Sequence, residues 1–306
     1  HDLRPVDASG APMAAPSARG NALLEPRLVD GVKEFTLTAG VVQWHILPEV
    51  MVAAYAFNEQ VPGPLIRVDV GDRVRITVRN DLPEPTSVHW HGLVIPNEQD
   101  GAAGVTQAPI MPGQTHAYEF TVPDSPGTFF YHSHAAADRQ QALGLYGALI
   151  IDDPKAAPMA GSEHVVELGE WRVAGGRTYP AMDYDGMLPN FFTINGKSYP
   201  ATEVVKARVG ERLLFRFIGT GQFVHPMHIH GGPFEIVATD GNPVPEGARL
   251  RKDTVLVGPG ERYDVVWTAR RPGKWLLHCH IAHHATNDGA ETDGGGGLMM
   301  LIEVSA

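Results

Sequence analysis

The chain is poor in the residues that would mark several common protein classes. It has one cysteine, Cys279, among 306 residues. That excludes an intrachain disulfide and any site built from several thiolates, whether zinc or iron–sulfur. No apolar run approaches the roughly 20 residues of a membrane-spanning helix. Basic residues are scarce, 24 Lys plus Arg against 35 Asp plus Glu, for a formal net charge of −11. A general nucleic-acid binder needs a basic face, so that class is excluded as well. No stretch shows a sustained helical period with caps. Gly (34), Pro (25) and His (15) are plentiful instead. Gly and Pro punctuate many short strands, and histidine is the commonest protein ligand for metals.

The first thirty residues are rich in Ala and Pro without periodicity and read as an irregular arm. A chain starting at His1 without an apolar leader fits an exported protein whose signal has been removed, or an engineered start. From Glu34 onward apolar residues alternate with polar ones. Val68, Val70, Val74, Ile76 and Val78 alternate with Asp69, Arg73, Arg75, Thr77 and Arg79, which is the period of a strand. The chain then repeats itself. The run Gly71–Val78 resembles Gly210–Phe217, and His89-Trp90-His91-Gly92 resembles His228-Ile229-His230-Gly231. Pro126 to His134 resembles Pro272 to His280, and each half closes on an apolar strand, Gly144 to Ile151 and Gly297 to Val304. Two copies of one β-domain are therefore expected, 31–155 and 156–306, joined by the Pro- and Gly-bearing stretch around 152–163. About 100 residues per copy suits a β-sandwich.

Eleven of the 15 histidines fall in four clusters, 89/91, 132/134, 225/228/230 and 278/280/283/284. In a strand, residues i and i+2 share a face, so each His-x-His offers two imidazoles side by side. His89, His91, His132, His134, His228, His230, His278 and His280 make eight, expected to converge at a domain interface. The middle residue of each triplet faces the other way. Cys279 therefore looks toward a second site. His225, three before His228, has the same opposite parity, and a tight turn would fold His284 back from five residues beyond Cys279. Two imidazoles, a thiolate and a weak axial neighbour suit blue copper. His1, His45, His116 and His164 stand alone and are expected at the surface or in local hydrogen bonds. His283 is ambiguous, because His284 has the better spacing.

His-Trp-His-Gly, His-Ser-His, His-Pro-Met-His-Ile-His and His-Cys-His-x-x-x-His resemble the four copper signatures of the multicopper oxidases, in that family's order. The resemblance spans about residues 31 to 306 and is closest to small, two-domain bacterial laccases. It implies an all-β fold of two cupredoxin-like Greek-key β-sandwich domains. It also implies four copper ions per active unit. By the family pattern His225, Cys279 and His284 hold a type 1 copper and His89 and His228 a type 2 copper. His91, His132, His134, His230, His278 and His280 then hold a type 3 pair. Asp100, eleven residues after His89, matches an acidic position that relays protons to reduced oxygen; a turn-forming Asp-Gly is the plainer reading. Electrons from the donor would arrive near His225 or His284 and pass through Cys279 to His278 and His280. The implied partners are O2 and small phenolic or aromatic amine donors. The implied assembly is a homotrimer with the trinuclear copper cluster between adjacent subunits, in a periplasmic or extracellular setting.

Two departures bear on details. The axial residue usually follows the last type 1 histidine closely, whereas here a long loop ends in four glycines. Leu298 is the favoured axial residue and Met300, of the same strand parity, the alternative; Met299 has the wrong parity. The acid that some relatives carry after that histidine is replaced by Ala285. Three other functions remain in view. A copper nitrite reductase would need a thiolate in the first domain, where Ser133 occupies the place matching Cys279. A Cu(I) or Mn(II) oxidase and a non-catalytic copper-binding electron carrier are the others.

Overall fold

The computed structural model describes residues 2–306, so His1 lies outside the described residues. Two β-sandwiches follow one another along the chain. In the first, Val32–Leu47 runs parallel to Arg73–Asn80 and antiparallel to Val50–Phe57, with Arg27–Val29 and Thr115–Thr121 on the edges. The facing sheet has the order Ile66–Asp69, Tyr146–Asp152, Gly127–Ser133, Val88–His91. The alternation read from the sequence sets the packing. Val74, Ile76 and Val78 point inward beside Trp90, Tyr118 and Tyr131, while Arg73, Arg75 and Arg79 point out.

The second sandwich repeats the plan. Ser162–Ala174 runs parallel to Arg212–Gly219, which pairs with Arg262–Thr268 and then Phe234–Thr239. Its partner sheet has the order Val204–Arg208, Met299–Ser305, Gly273–Cys279, His225–Ile229, Thr254–Val257. The repeat reaches down to register. His89 pairs across the ladder with His132 in the first domain, and His228 with His278 in the second. The fold is therefore all-β, a pair of sandwiches of the cupredoxin-like kind that the resemblance implies. Among the described residues the helical elements are four-residue Ala137–Gln140 and three short 3-10 turns.

Two expectations need correcting. The arm is not irregular to residue 30, because Arg27–Val29 forms a hairpin with Val32–Glu34. Asp30 and Gly31 both adopt positive φ, 48° and 77°, which is the Asp-Gly turn chemistry that closes a two-residue hairpin. Of the solitary histidines, His45, His116 and His164 are also half-buried rather than at the surface. His164 stacks on Phe215 and His116 meets the edge of Tyr118, and each leaves a buried ring nitrogen without a hydrogen bond. His45 likewise leaves Nδ1 unpaired. Packing against aromatic rings, rather than hydrogen bonding, holds His116 and His164.

The two domains are joined by specific bonds. Trp44 Nε1 donates to Gly196 O at 2.7 Å, and Thr128 Oγ1 donates to Asp264 Oδ1 at 2.6 Å. Arg67 reaches both Asp152 and Glu163, and Arg216 reaches Glu163 and Asp264. These bonds set the direction in which each domain presents its histidines. Glu167 lies in the same region, fully buried, with neither carboxyl oxygen in a hydrogen bond of ordinary geometry. Burial pushes its carboxyl up to about 8, with Asn21 and the Ala148 N–H pulling weakly the other way. The folded state therefore holds a proton that the unfolded chain releases above about pH 4.5, and stability falls as pH rises toward 8. Relative to Glu167→Gln, urea unfolding of the metal-free protein should lose about 1.4 kcal/mol per pH unit across that window. Parallel pH profiles for the two proteins would refute the assignment.

Candidate metal centre

The geometry follows from strand parity. In His225–Ile229 the buried side chains are His225, Met227 and Ile229, while His228 turns the other way. In Gly273–Cys279, Leu277 and Cys279 point into the core and His278 points out. Cys279 and His225 thus meet inside the second sandwich. The 3-10 turn Ala282–Ala285 then carries His284 back, its N–H donating to Ile281 O at 2.9 Å. Cys279 Sγ lies 3.6 Å from His284 Nδ1 and 3.9 Å from His225 Nδ1, and the two Nδ1 atoms are 3.1 Å apart.

All three residues are buried. Burial, followed by neighbouring His225 and His283, pushes the His284 imidazole down to about 3, so it is neutral and free to ligate. Burial pushes the Cys279 thiol up to about 12, a penalty on the free thiolate that a bound cation would remove. Two imidazoles and one thiol, their donor atoms within 4.8 Å of one another, form a donor set that fits copper.

Two residues around this set were not foreseen. Glu170, from Ser162–Ala174, is buried with Oε1 2.5 Å from His225 Nε2, and Oε2 accepts the Gln222 N–H at 3.2 Å. Phe192 stacks on His284 with centroids 4.2 Å apart and planes at 26°. Glu170 stands 55 residues before His225, on a different sheet, and no spacing in the sequence signals it. Its contact also corrects the expectation that His225 lies at the rim. His225 is 0% exposed and its outer nitrogen is engaged.

Leu298 and Met300 separate in space. The Leu298 N–H donates to His284 O at 2.9 Å, and its carbonyl accepts the Cys279 N–H at 3.0 Å. Met300 pairs with Leu277 and lines a different cavity, beside His164 and Val165. The glycine run before Leu298 has a steric reason, since Gly297 has φ 51° and a Cβ there would collide with His284 O.

The eight outward histidines form two quartets. His89 sits about 5.5 Å, ring to ring, from each of His91, His132 and His134. His228 relates to His230, His278 and His280 in the same way, at 5.0 to 5.6 Å. The closest nitrogens are His91 Nδ1 to His132 Nε2 at 3.3 Å and His230 Nε2 to His278 Nε2 at 3.0 Å. Burial pushes His91 down to about 4 and His132 to about 3, and lowers His230 and His278 as well.

Four of the eight rings have Nδ1 against a carbonyl. His89 bonds Asp100 O at 2.8 Å, His132 bonds Ser133 O at 2.8 Å, His228 bonds Asp253 O at 2.7 Å, and His278 bonds Cys279 O at 2.9 Å. In each, Nδ1–H donates and the Nε2 lone pair remains for a metal. Asp100 therefore positions His89 through its backbone, with Oδ1 3.4 Å from the ring. The following Gly101, at φ 86°, lets this turn lie against Val88 O, where a Cβ would collide. Asp253 is its counterpart in the second domain, hidden from sequence reasoning because it lies 25 residues after His228 rather than eleven.

Among the described residues, no hydrogen bond or ring contact joins the two quartets within the chain. The first quartet faces a chamber of about 270 Å³ that the second domain closes with Gly221, Gln222, Pro259 and Gly260, not with histidines. The expected meeting of eight imidazoles at a domain interface thus does not occur inside one chain. The place matching Cys279 holds Ser133, whose hydroxyl donates to Gln140 Oε1 at 2.5 Å beside Thr86. A hydroxyl and amide network, not a metal-binding thiol, fills that place in the first domain.

The multicopper oxidase family matches residues 38–156 and again 176–290. The chain is 32% identical over 251 residues to Multicopper oxidase MmcO of Mycobacterium tuberculosis, covering 72% of this chain and 48% of that protein. It is 33% identical over 243 residues to Laccase-1 of Cryptococcus neoformans var. grubii, covering 69% and 38%. The chain thus spans about half, or less, of the length of these curated relatives. Among solved structures, the Blue Copper Oxidase from Nitrosomonas europaea superposes with a TM-score of 0.82 at 33% identity, over 89% of this chain and 86% of that one.

Removing the Glu170 contact should loosen the thiolate site without unfolding the domain. Glu170→Ala should bind copper there about 10- to 100-fold more weakly in chelator competition, with Glu170→Gln retaining more affinity. Equal affinity in all three proteins would show that the contact does not orient His225.

Proposed function

The chain belongs to the multicopper oxidase family, and on that premise we propose that it is a laccase-like oxidase. It takes electrons one at a time from phenolic or aromatic amine donors and reduces O2 to water. The observation that carries this reading is the pairing of two imidazole quartets with a separate His2Cys set through the single triplet His278-Cys279-His280. Copper bound at these residues supplies the one-electron redox chemistry.

His225, Cys279 and His284 would hold the type 1 ion. Leu298, whose backbone ties to both Cys279 and His284, would be the apolar neighbour of that ion, whereas Met300 lines another cavity. His89 and His228 would hold the type 2 ion, and His91, His132, His134, His230, His278 and His280 the type 3 pair, four ions per active unit. The alternation of the strand places the thiol one residue from each of two cluster imidazoles, so the route between sites is covalent. The fixed Nδ1 bonds to carbonyls keep the quartets oriented before any metal arrives. Asp100 Oδ1, beside the ring of His89, would hold a proton where reduced oxygen needs one.

Each quartet is half of a site, and each is open on its outer side. His134 and His280 are exposed in the single chain. A head-to-tail ring of three chains would bring the first quartet of one against the second quartet of the next, closing three equivalent sites. A nitrite reductase is disfavoured by the hydrogen-bonded Ser133, and a simple electron carrier has no use for eight outward imidazoles.

Cys279→Ser should remove the blue absorption and O2 uptake with a phenolic donor, while the far-ultraviolet β signature is kept. An unchanged blue colour would overturn the type 1 assignment. Sedimentation of the copper-loaded protein should give three chains, and an active, fully loaded monomer would contradict the shared site.

A further inference from the structure

Building on the oxidase reading, we propose that His283 is the surface residue that donors touch, and that the rim around it selects cationic aromatic amines. The argument starts from which side of the His2Cys set is closed. His225 is fully buried and Glu170 engages its Nε2. His284 is 4% exposed, and its ring hydrogen bonds run through Nδ1, toward Cys279 and His225. Its Nε2, on the other side of the ring, has no protein partner and is not fully buried, so that edge of the ring comes to the surface beside His283. Phe192 covers one face of that ring. The remaining edge is met by His283, centroid to centroid 4.4 Å, with the planes at 81°. His283 itself is exposed. Its carbonyl accepts the Thr286 hydroxyl at 2.8 Å, which fixes the turn that presents it. The paired rings of His284 and His283 thus connect solvent to the buried donor set, with His283 the exposed member of the pair.

The surroundings give the donor its sign. The segment that leads into Phe192 carries exposed Asp183 and Asp185. The segment between His284 and Leu298 carries exposed Asp288, Glu291 and Asp293. The two are tied together, the Asp288 N–H donating to Asn190 O at 2.8 Å and Asn190 Nδ2 to Asp288 Oδ1 at 2.9 Å. Neither 181–190 nor 282–298 contains a lysine or an arginine. Exposed Tyr184 and Leu188 add flat and apolar surface in the same segment. A donor that stacks on an imidazole and carries positive charge satisfies both features, whereas an anion meets five carboxylates.

The step is outer-sphere. One electron would leave the aromatic amine, which becomes its one-electron-oxidised radical, and would be taken up by the cupric ion that His225, Cys279 and His284 would hold. No bond is made or broken, and O2 is the final oxidant.

The test uses the copper-loaded protein and two aromatic amines that differ only in a side group, one a quaternary ammonium and the other a sulfonate. At low salt kcat/KM should favour the cationic donor by about tenfold or more, and the preference should shrink as salt screens the rim. His283→Ala should lower kcat/KM for both donors by about tenfold, with the blue band and the type 1 reduction potential unchanged, and His283→Phe should restore much of the rate. Replacing Asp183, Asp185 and Asp293 by Asn and Glu291 by Gln, with Asp288 kept for its bond to Asn190, should remove most of the charge preference and leave the band alone. If His283→Ala stays within about twofold of wild type, the contact is wrong; if wild type shows no preference, the donor class is wrong. A wild-type protein with neither blue band nor O2 uptake would instead sink the oxidase reading, and this inference with it.

Discussion

Everything at the centre depends on the two-residue period of an extended strand. At His278-Cys279-His280 the backbone cannot turn all three side chains the same way. The thiol must enter the core if the imidazoles are to leave it. The adjacent strand obeys the same rule, with His225 inward and His228 outward, and the ladder places His228 opposite His278. One covalent segment is thereby shared between a buried donor set and an open one. A bulge or a one-residue slip here would exchange the two roles and leave neither set intact.

The two kinds of site meet opposite demands of burial. The thiol set sits in the hydrophobic interior with Leu277, Leu298 and Ile302, where burial keeps His284 neutral and holds the unligated thiol protonated. The quartets lie toward outer faces, and backbone carbonyls rather than packing hold four of their rings. The first domain shows what the same scaffold does without a thiol. Ser133, Thr86 and Gln140 satisfy one another in the space that Cys279 and its ligands occupy in the second domain. A duplicated fold thus carries two quartets and only one buried set.

Much of this was legible in the chain because the governing periodicities are local. Strand alternation located Val74, Ile76 and Val78 in the core, and repeat-related motifs marked the two sandwiches before any coordinates. Parity separated Cys279 and His225 from the eight outward imidazoles, a turn of the right length returned His284 to them, and the structure brings these three buried residues together within 4.8 Å. What escaped was non-local. Glu170 meets His225 from another sheet, Asp253 repeats the part of Asp100 from a loop of different length, and Phe192 stacks on His284 from a separate segment.

The sequence by itself determined which faces the donor atoms occupy, because a side chain's direction in a strand depends only on its position along that strand. It also determined that there are two imidazole quartets and one thiol, because both copies of the repeat carry their His-x-His pairs while Ser133 stands where the second copy has Cys279. Only the tertiary structure decided that His225 is sealed while His284 has a neighbour at the surface, and that the two quartets stay apart within a chain. Those outcomes depend on how sheets pack and where loops return. That packing is a balance of contacts among residues distant in sequence, and no local pattern encodes it.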